Sequence, residues 1–586
     1  MVTYLKGLKP PMKNYATVRI VLLDPVQANI EAAALALDRW HHLASIEEKF
    51  FRQKSCIRWL IAGDQNTTFY HQFAAGRAVR NAIHILISAT GEVLTDPSDI
   101  KKEAVSHFQK FLQMQPHDGN DYSTDELQDL LTYRCTDEAA SALIKHVEGP
   151  EILATRKALP NGKVSAPYGY TKEFYIGAWY VIGWDFIIAV QSFFMFGFMS
   201  RGVSSTILTL ISKVVPANTM KDFRPIACCN ILYKAISKIL AKRPKVLLPE
   251  AIEPSQSAFI KGRLLLVNIL LASELVNGYH KNDLSSRYSI KFDISKAFDT
   301  VKWSFIVNIL KAMALPDIFV HWIYLCISTA SFSVDVNGDL EGFFTSARGI
   351  RQDCSLSPYL HVILNNVLSK LLNQAAVDIK LGYHSRCQEE KLTHLSFADD
   401  ILVFTDGTST SLFGVIDVFK DFALMSGLHI NPTKFTLFST GGEANQVVQA
   451  AHGVGIQSGT LPIRYLGLSL TTKALTRLDY EPLINMIQNQ LLLWSHKSLS
   501  YVGRLQLIKS VITSMVNFQS SVFILPKSSY DEIESMCNAF LWSGSPHDTH
   551  KAKVSWDIVC SPKFEGGLGL KRFKDSARVF ALNLIR

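Results

Sequence analysis

No C-x-x-C pair occurs anywhere in the 586 residues. The nine cysteines (Cys56, Cys135, Cys228, Cys229, Cys326, Cys354, Cys387, Cys537, Cys560) are odd in number and irregularly spaced. That pattern excludes a disulfide framework, argues against structural zinc, and reads as reduced, mostly buried thiols. A secretory signal is also missing, since Met1 to Pro10 has no sustained apolar core, so an intracellular location, nucleus or cytoplasm, is expected. Charged residues are sparse at 19% against 48% hydrophobic, which excludes a disordered chain and leaves core material for two to four domains. The net charge of +9 suits a polyanionic partner without demanding one. An uninterrupted membrane span is lacking too. Residues 174–199 are long and apolar, but Asp185, Gln191, Gly177, Gly183 and Gly197 interrupt them. A buried or half-buried helix, and no membrane, is the expectation.

What is present centres on Phe397-Ala398-Asp399-Asp400, two adjacent acids flanked by the apolar β-formers of residues 395–404. Two apolar runs broken by a polar pair read as a β-hairpin whose turn carries the acids. Neighbouring carboxylates repel and are costly to ionise together, so a cation or a solvated surface has to neutralise them. A solvated hairpin turn is the alternative to a metal site. A further acid, Asp293, ends the strand-like segment 289–293 before a helix-like one. Hard divalent ions take oxygen ligands, commonly one or two carboxylates plus substrate phosphates. Asp293 from one strand and Asp399 from a hairpin beside it would supply such a site, with two metals about 3.5–4 Å apart for in-line phosphoryl transfer.

Seven stretches occur in order: residues 222–234 (beginning Asp222-Phe223-Arg224-Pro225), Gln256 to Arg263, the Asp293 segment, Gly349-Ile350-Arg351-Gln352, Phe397 to Asp400, residues 426–434, and Arg464 to Leu468. On these motifs the chain resembles the reverse transcriptases of non-LTR (LINE-type) retrotransposons, of the plant type. The resemblance implies an α+β right-hand polymerase with helical fingers, a palm bearing an antiparallel sheet, a thumb, and helical N- and C-terminal extensions. Its domains would be a helical N-terminal extension at 1–155, fingers and palm at 156–472, and a thumb-like, truncated helical region at 473–586. It also implies Mg²⁺, with Mn²⁺ as a substitute, held by Asp293, Asp399 and Asp400, of which Asp400 is the weakest ligand. Arg224, Phe298, Gln352 and Lys434 would meet the incoming deoxynucleoside triphosphate, with Phe298 excluding a 2′-hydroxyl. Lys261, Arg263 and Arg504 would meet an RNA template and DNA primer.

Four of these have a plainer reading beside them: a surface salt bridge for Arg224, a core side chain for Phe298, a solvated strand lysine for Lys434, and solvated helix charges for Arg504. The polymerase reading would turn some bases of residues 231–248 to the template, and their plainer reading is a solvated helix face. Asp299 is expected to cap or pair locally. Bases and aromatics interleave at 49–59 and 69–80, which suits phosphates and unpaired bases or, equally, a helix with one basic face. Helices are expected at 100–112, 268–280, 356–372 and 412–425, the last closed by Gly427, with hairpins around Asn337-Gly338 and at 464–470.

Three departures from the family pattern stand out. Residues 166–169 read Ala-Pro-Tyr-Gly, Val267 precedes Asn268 where an Asp is usual, and Asp353-Cys354 follow Gln352 where Gly-Asp is usual. Glycine allows a φ and a close backbone approach that Asp does not, and Asp353 adds negative charge near an incoming triphosphate. Against the enzyme reading therefore stands a catalytically dead relic that only binds nucleic acid. A polymerase of ribonucleotides is disfavoured by Phe298.

Overall fold

The computed structural model describes residues 24, 26–55, 74–77, 79–114, 122–163, 167–214, 216–281, 285–294, 297–428, 431–441, 444–473, 475–495 and 499–585. Runs rich in β-branched and aromatic residues become strands: β1 (Leu86–Ile87), β2 (Val93–Leu94), β3 (Ser205–Ser212), β4 (Phe223–Cys229), β5 (Arg287–Asp293), β6 (Ser331–Val336), β7 (Asp339–Thr345), β8 (His394–Phe397), β9 (Asp400–Thr405), β10 (Thr436–Thr440), β11 (Gln457–Ser458), β12 (Ile463–Tyr465) and β13 (Leu468–Leu470). They build a five-stranded sheet in the order β11-β10-β5-β9-β8 and a four-stranded sheet in the order β4-β3-β6-β7. Two small pairs, β1-β2 and β12-β13, complete the strands. In the five-stranded sheet β5 runs antiparallel to both β9 and β10, and β8 antiparallel to β9. The fold is mixed α and β, as the sequence led us to expect.

Local chemistry explains most boundaries. The β6-β7 turn is Asn337-Gly338, with φ of +57° and +95°, the twist that matches flanking strands. Asp96 caps the helix Pro97–Gln113 by accepting from the Ser98 and Asp99 amides. The helix Ser409–Ser426 closes on Gly427 in the left-handed conformation. One expectation is corrected: the helix expected over 231–248 is Ile231–Lys242, because Pro244 cannot continue it, and a short 3-10 turn and a second short helix, Leu248–Ala251, follow.

The five-stranded sheet is anchored by aromatic packing. Phe292 on β5 stacks on Phe419 of the helix Ser409–Ser426 at 3.9 Å between ring centres, and Phe435 meets it edge-on at 4.5 Å. Phe292 is fully buried, so its truncation to alanine costs about 3–5 kcal/mol. The apolar stretch near residue 180 forms the helix Trp179–Phe196, long and apolar enough by length and composition to span a bilayer. Phe186, Val190 and Phe193 are buried against the core, while Tyr180, Trp184 and Phe196 are exposed, so the helix is half-buried.

Contacts divide the chain into two units. One holds residues 83–484, 516–531 and 573–586, with every strand found among the described residues; the other holds 1–82, 485–515 and 532–572. Within the second, Trp494 and Phe540 pack at 6.1 Å and Arg572 pairs with Asp557 at 2.8 Å.

Candidate active site

β8 and β9 are joined by the two-residue turn Ala398-Asp399, with Phe397 opposite Asp400. Ala398 has φ +55°, whereas Asp399 does not share the positive φ, which is the pattern of a turn that favours glycine at its first central position. Two buried side chains hold it there. Gln256 Oε1 accepts from the Ala398 amide at 3.2 Å, and Asn365 Nδ2 donates to the Ala398 carbonyl at 2.7 Å. Asp399 is left exposed at the tip.

Register brings the second acid alongside. In the β5-β9 pair Asp293 is the partner of Asp400, and directly opposed residues in an antiparallel pair have Cα atoms about 4.5–5.5 Å apart. The Asp293 side chain itself lies outside the described part of the structure. Asp400 is half-buried, and its Oδ1 lies 3.6 Å from Lys291 Nζ, a β5 neighbour of Asp293. Among the described residues no three His, Cys, Asp or Glu side chains form a ready-made metal cage.

Asp399 opens onto a cleft of about 530 Å³ whose wall includes Lys213, Arg224, Phe298, Gln352 and Asp353. Lys213 on this wall is held below its ordinary pKa, first by burial and then by the charges of Arg224 and Lys434; Asp299 and Asp222 oppose this. Cations gathered so closely suit an anion of high charge. Phe298 is half-buried and stacks on His361 at 4.7 Å between ring centres. Burial pushes the His361 imidazole down to about 4, and its Nε2 lies 3.1 Å from Asn365 Nδ2. Gln352 donates to both oxygens of Asp299, at 2.9 and 3.0 Å, so Asp299 pairs locally. Asp353 has φ +66°, the conformation in which the sequence argument prefers glycine.

Residues 213–470 match the family described as reverse transcriptase (RNA-dependent DNA polymerase). This stretch is a reverse transcriptase domain. The chain is 24% identical over 557 residues to the transposon TX1 uncharacterized 149 kDa protein of Xenopus laevis, covering 94% of this chain and 41% of that protein. It is 28% identical over 281 residues to the retrovirus-related Pol polyprotein from type-2 retrotransposable element R2DM of Drosophila melanogaster, covering 46% and 25%. A putative ribonuclease H protein of Arabidopsis thaliana is 32% identical over 106 residues, 18% of this chain and 17% of that one. The match thus spans less than half the length of each of these three relatives. The likeness to non-LTR retrotransposon proteins holds, while frog, insect and plant relatives together do not single out the plant type.

Several bases expected to meet nucleic acid are committed elsewhere. Arg263 of the reverse transcriptase domain donates to the carbonyls of Glu253, Gln256, Pro249 and Ile252, which uses four of its five N–H groups and makes it a clamp on its own segment. In the other unit Arg504 points to the Phe540 carbonyl at 3.4 Å, and its Nε is buried without a hydrogen-bond partner. Lys238, Lys242 and Arg243 donate to Ala158 O, Thr155 Oγ1, Leu143 O and Lys145 O, stitching the helix Ile231–Lys242 to residues 143–158. Lys261 and Lys434 are exposed. Of the base-and-aromatic stretches at 49–59 and 69–80, residues 56–59, 69–73 and 78 lie outside the described ones.

Sequence reading missed Asn365 and His361, and it named Gln256 only as part of a motif. Neither Asn365 nor His361 carries a local signal.

Proposed function

We propose that the chain is an RNA-directed DNA polymerase of the non-LTR retrotransposon kind, extending a DNA primer with deoxynucleoside triphosphates on an RNA template. The β5-β9 register carries this reading, because it opposes Asp293 and Asp400 at the end of the hairpin that presents Asp399 to the cationic cleft. On this reading the five-stranded sheet is the palm, the four-stranded sheet and the helices before it are fingers, and the helices from residue 473 onward are thumb-like.

The donors fit Mg²⁺, or Mn²⁺ in its place, since all are carboxylate oxygens, two on paired strands and one on the turn beside them. Asp293 and Asp399 would hold it, with Asp400 weaker because Lys291 already neutralises it. When bound, such ions lower the pKa of the primer 3′-hydroxyl and steady the departing pyrophosphate. The chain's own side chains bind and orient. Lys213, Arg224 and Lys434 neutralise the triphosphate. Phe298, braced by His361, fills the space a 2′-hydroxyl would need. Gln352, steadied by Asp299, positions the incoming nucleotide against its template.

A second reading, a relic that binds nucleic acid without catalysis, is favoured by one observation: Asp353 brings a carboxylate and a left-handed φ to the cleft wall. Primer extension on an RNA template with Mg²⁺ and deoxynucleotides separates the two. Extension by the unmodified chain that disappears in Asp399→Asn supports the polymerase. Extension only after the double change Asp353→Gly, Cys354→Asp supports the relic, and preferential ribonucleotide incorporation would overturn the role given to Phe298.

A further inference from the structure

We propose that Phe259, Tyr359, Lys245 and Lys261 form a stacking platform for one unpaired nucleobase of a single-stranded template at the edge of the cleft. It rests on the polymerase reading only for the identity of that strand.

Phe259 is the observation that calls for explanation. It is 50% exposed and has φ +60°, an outlier for a bulky residue. Its neighbours Ala258 and Ile260 are buried, so core packing accounts for them and not for the ring between them. Backbone strain of this kind collects at binding sites, where the surrounding structure over-determines it. The ring stands edge-on to Tyr359 at 6.5 Å between centres and 68° between planes. Lys245 Nζ lies 5.1 Å from the Tyr359 ring centre, and Lys261 is exposed two residues beyond Phe259.

Aromatic faces with adjacent cations are what a single strand requires, because every base offers a π-face and every linkage a charge. The surroundings favour a polyanion over an apolar protein segment. Lys238 is held below its ordinary value by burial and then by the nearby charges of Lys242, Lys245 and Lys172.

Both elements that carry the platform also hold the catalytic turn. Phe259 follows Gln256, which accepts from the Ala398 amide. Tyr359 follows Pro358 of the cleft wall and shares its helix, Ser357–Val377, with Asn365, which binds the Ala398 carbonyl. A base stacked here would therefore be registered to the hairpin bearing Asp399.

The test measures binding by the whole chain, through fluorescence anisotropy, to an RNA–DNA template–primer with a short unpaired 5′ template overhang and to the same duplex made blunt. A 2-aminopurine at the first unpaired template position reports stacking. Phe259→Gly, whose glycine suits the backbone φ, should bind the overhang substrate about tenfold more weakly, lose the 2-aminopurine quenching and bind the blunt duplex as before. Phe259→Trp should restore both, and Phe259→Asn, which tolerates left-handed φ, replaces the glycine variant if that one does not fold. Equal losses on both substrates, no loss on either, or an unmodified chain that binds blunt and overhang duplexes alike would overturn the platform. Because no turnover is needed, binding without extension would sink the polymerase reading and leave the platform standing. Extension with an indifferent Phe259→Gly would do the reverse.

Discussion

Ala398 occupies a backbone conformation in which glycine would be relaxed, and it stays there because Gln256 and Asn365 grip its amide and carbonyl. Loosening that grip should act on chemistry more than on folding. Asn365→Ala is expected to lower primer extension about 10–100-fold, as the loss of groups orienting metal ligands does, while the melting midpoint shifts little. A comparable fall in melting would mean the residue serves the core instead. Asp353, at φ +66°, is strained in a related way, and Asp353→Gly should raise stability by about 0.5–1 kcal/mol in denaturant titration. At this scale the paired acids were legible, since two carboxylates between apolar runs are conspicuous in any chain. Asn365 was not, because an amide within an apolar helix means nothing until the fold brings a turn to it. Arg263 is the opposite case: a guanidinium in a basic segment looks free in the sequence, and four carbonyls of residues 249–256 converge on it in the fold.

Among the elements, those governed by short-range rules were readable. Asn337-Gly338 set the β6-β7 hairpin, Asp96 and Gly427 set helix ends, and residues 463–470 formed their small hairpin. Partners far apart in the chain were not readable, and the parallel pairing of β3 with β6 is the clearest case, because no local pattern states which strands meet. The segment from Gly349 to Gln352 shows how such contacts act. The Gly349 amide donates to Val301 O at 2.8 Å, the Ile350 amide to Phe298 O at 2.6 Å, and the Trp303 indole to Gly349 O at 2.7 Å. Gly349 has φ +84°, and a Cβ there would fall 2.6 Å from the Asp299 carbonyl oxygen. Gly349→Ala should therefore destabilise by more than about 2 kcal/mol and displace Phe298 and Gln352 together, read as lost melting temperature with weakened nucleotide discrimination. Unchanged discrimination in a folded variant would detach this segment from the site.

For the molecule as a whole, acid is the revealing stress. Burial holds His361 and His394 at about 4, and His384 also at about 4 through burial with help from Arg287 and Arg386. Unfolded histidine takes up its proton near 6.5, so acid favours the unfolded chain. The neutral rings' contribution is complete above about pH 6.5 and is lost as pH falls towards 4, at up to about 1.4 kcal/mol per pH unit for each. Denaturant midpoints measured across that interval should fall steeply, and His394→Gln should flatten the slope. The strand order has a consequence of a different kind. β5 lies between β9 and β10, and the outer side of β8 is covered by residues 255–257, whose Ser257 amide and Ser255 carbonyl bond to Ser396. The amides of β5 can therefore trade their hydrogens for deuterium only when the whole unit opens, whereas two-residue β11 at the far edge exchanges early. The strand that delivers Asp293 would be among the last places in the chain to record the passage of time.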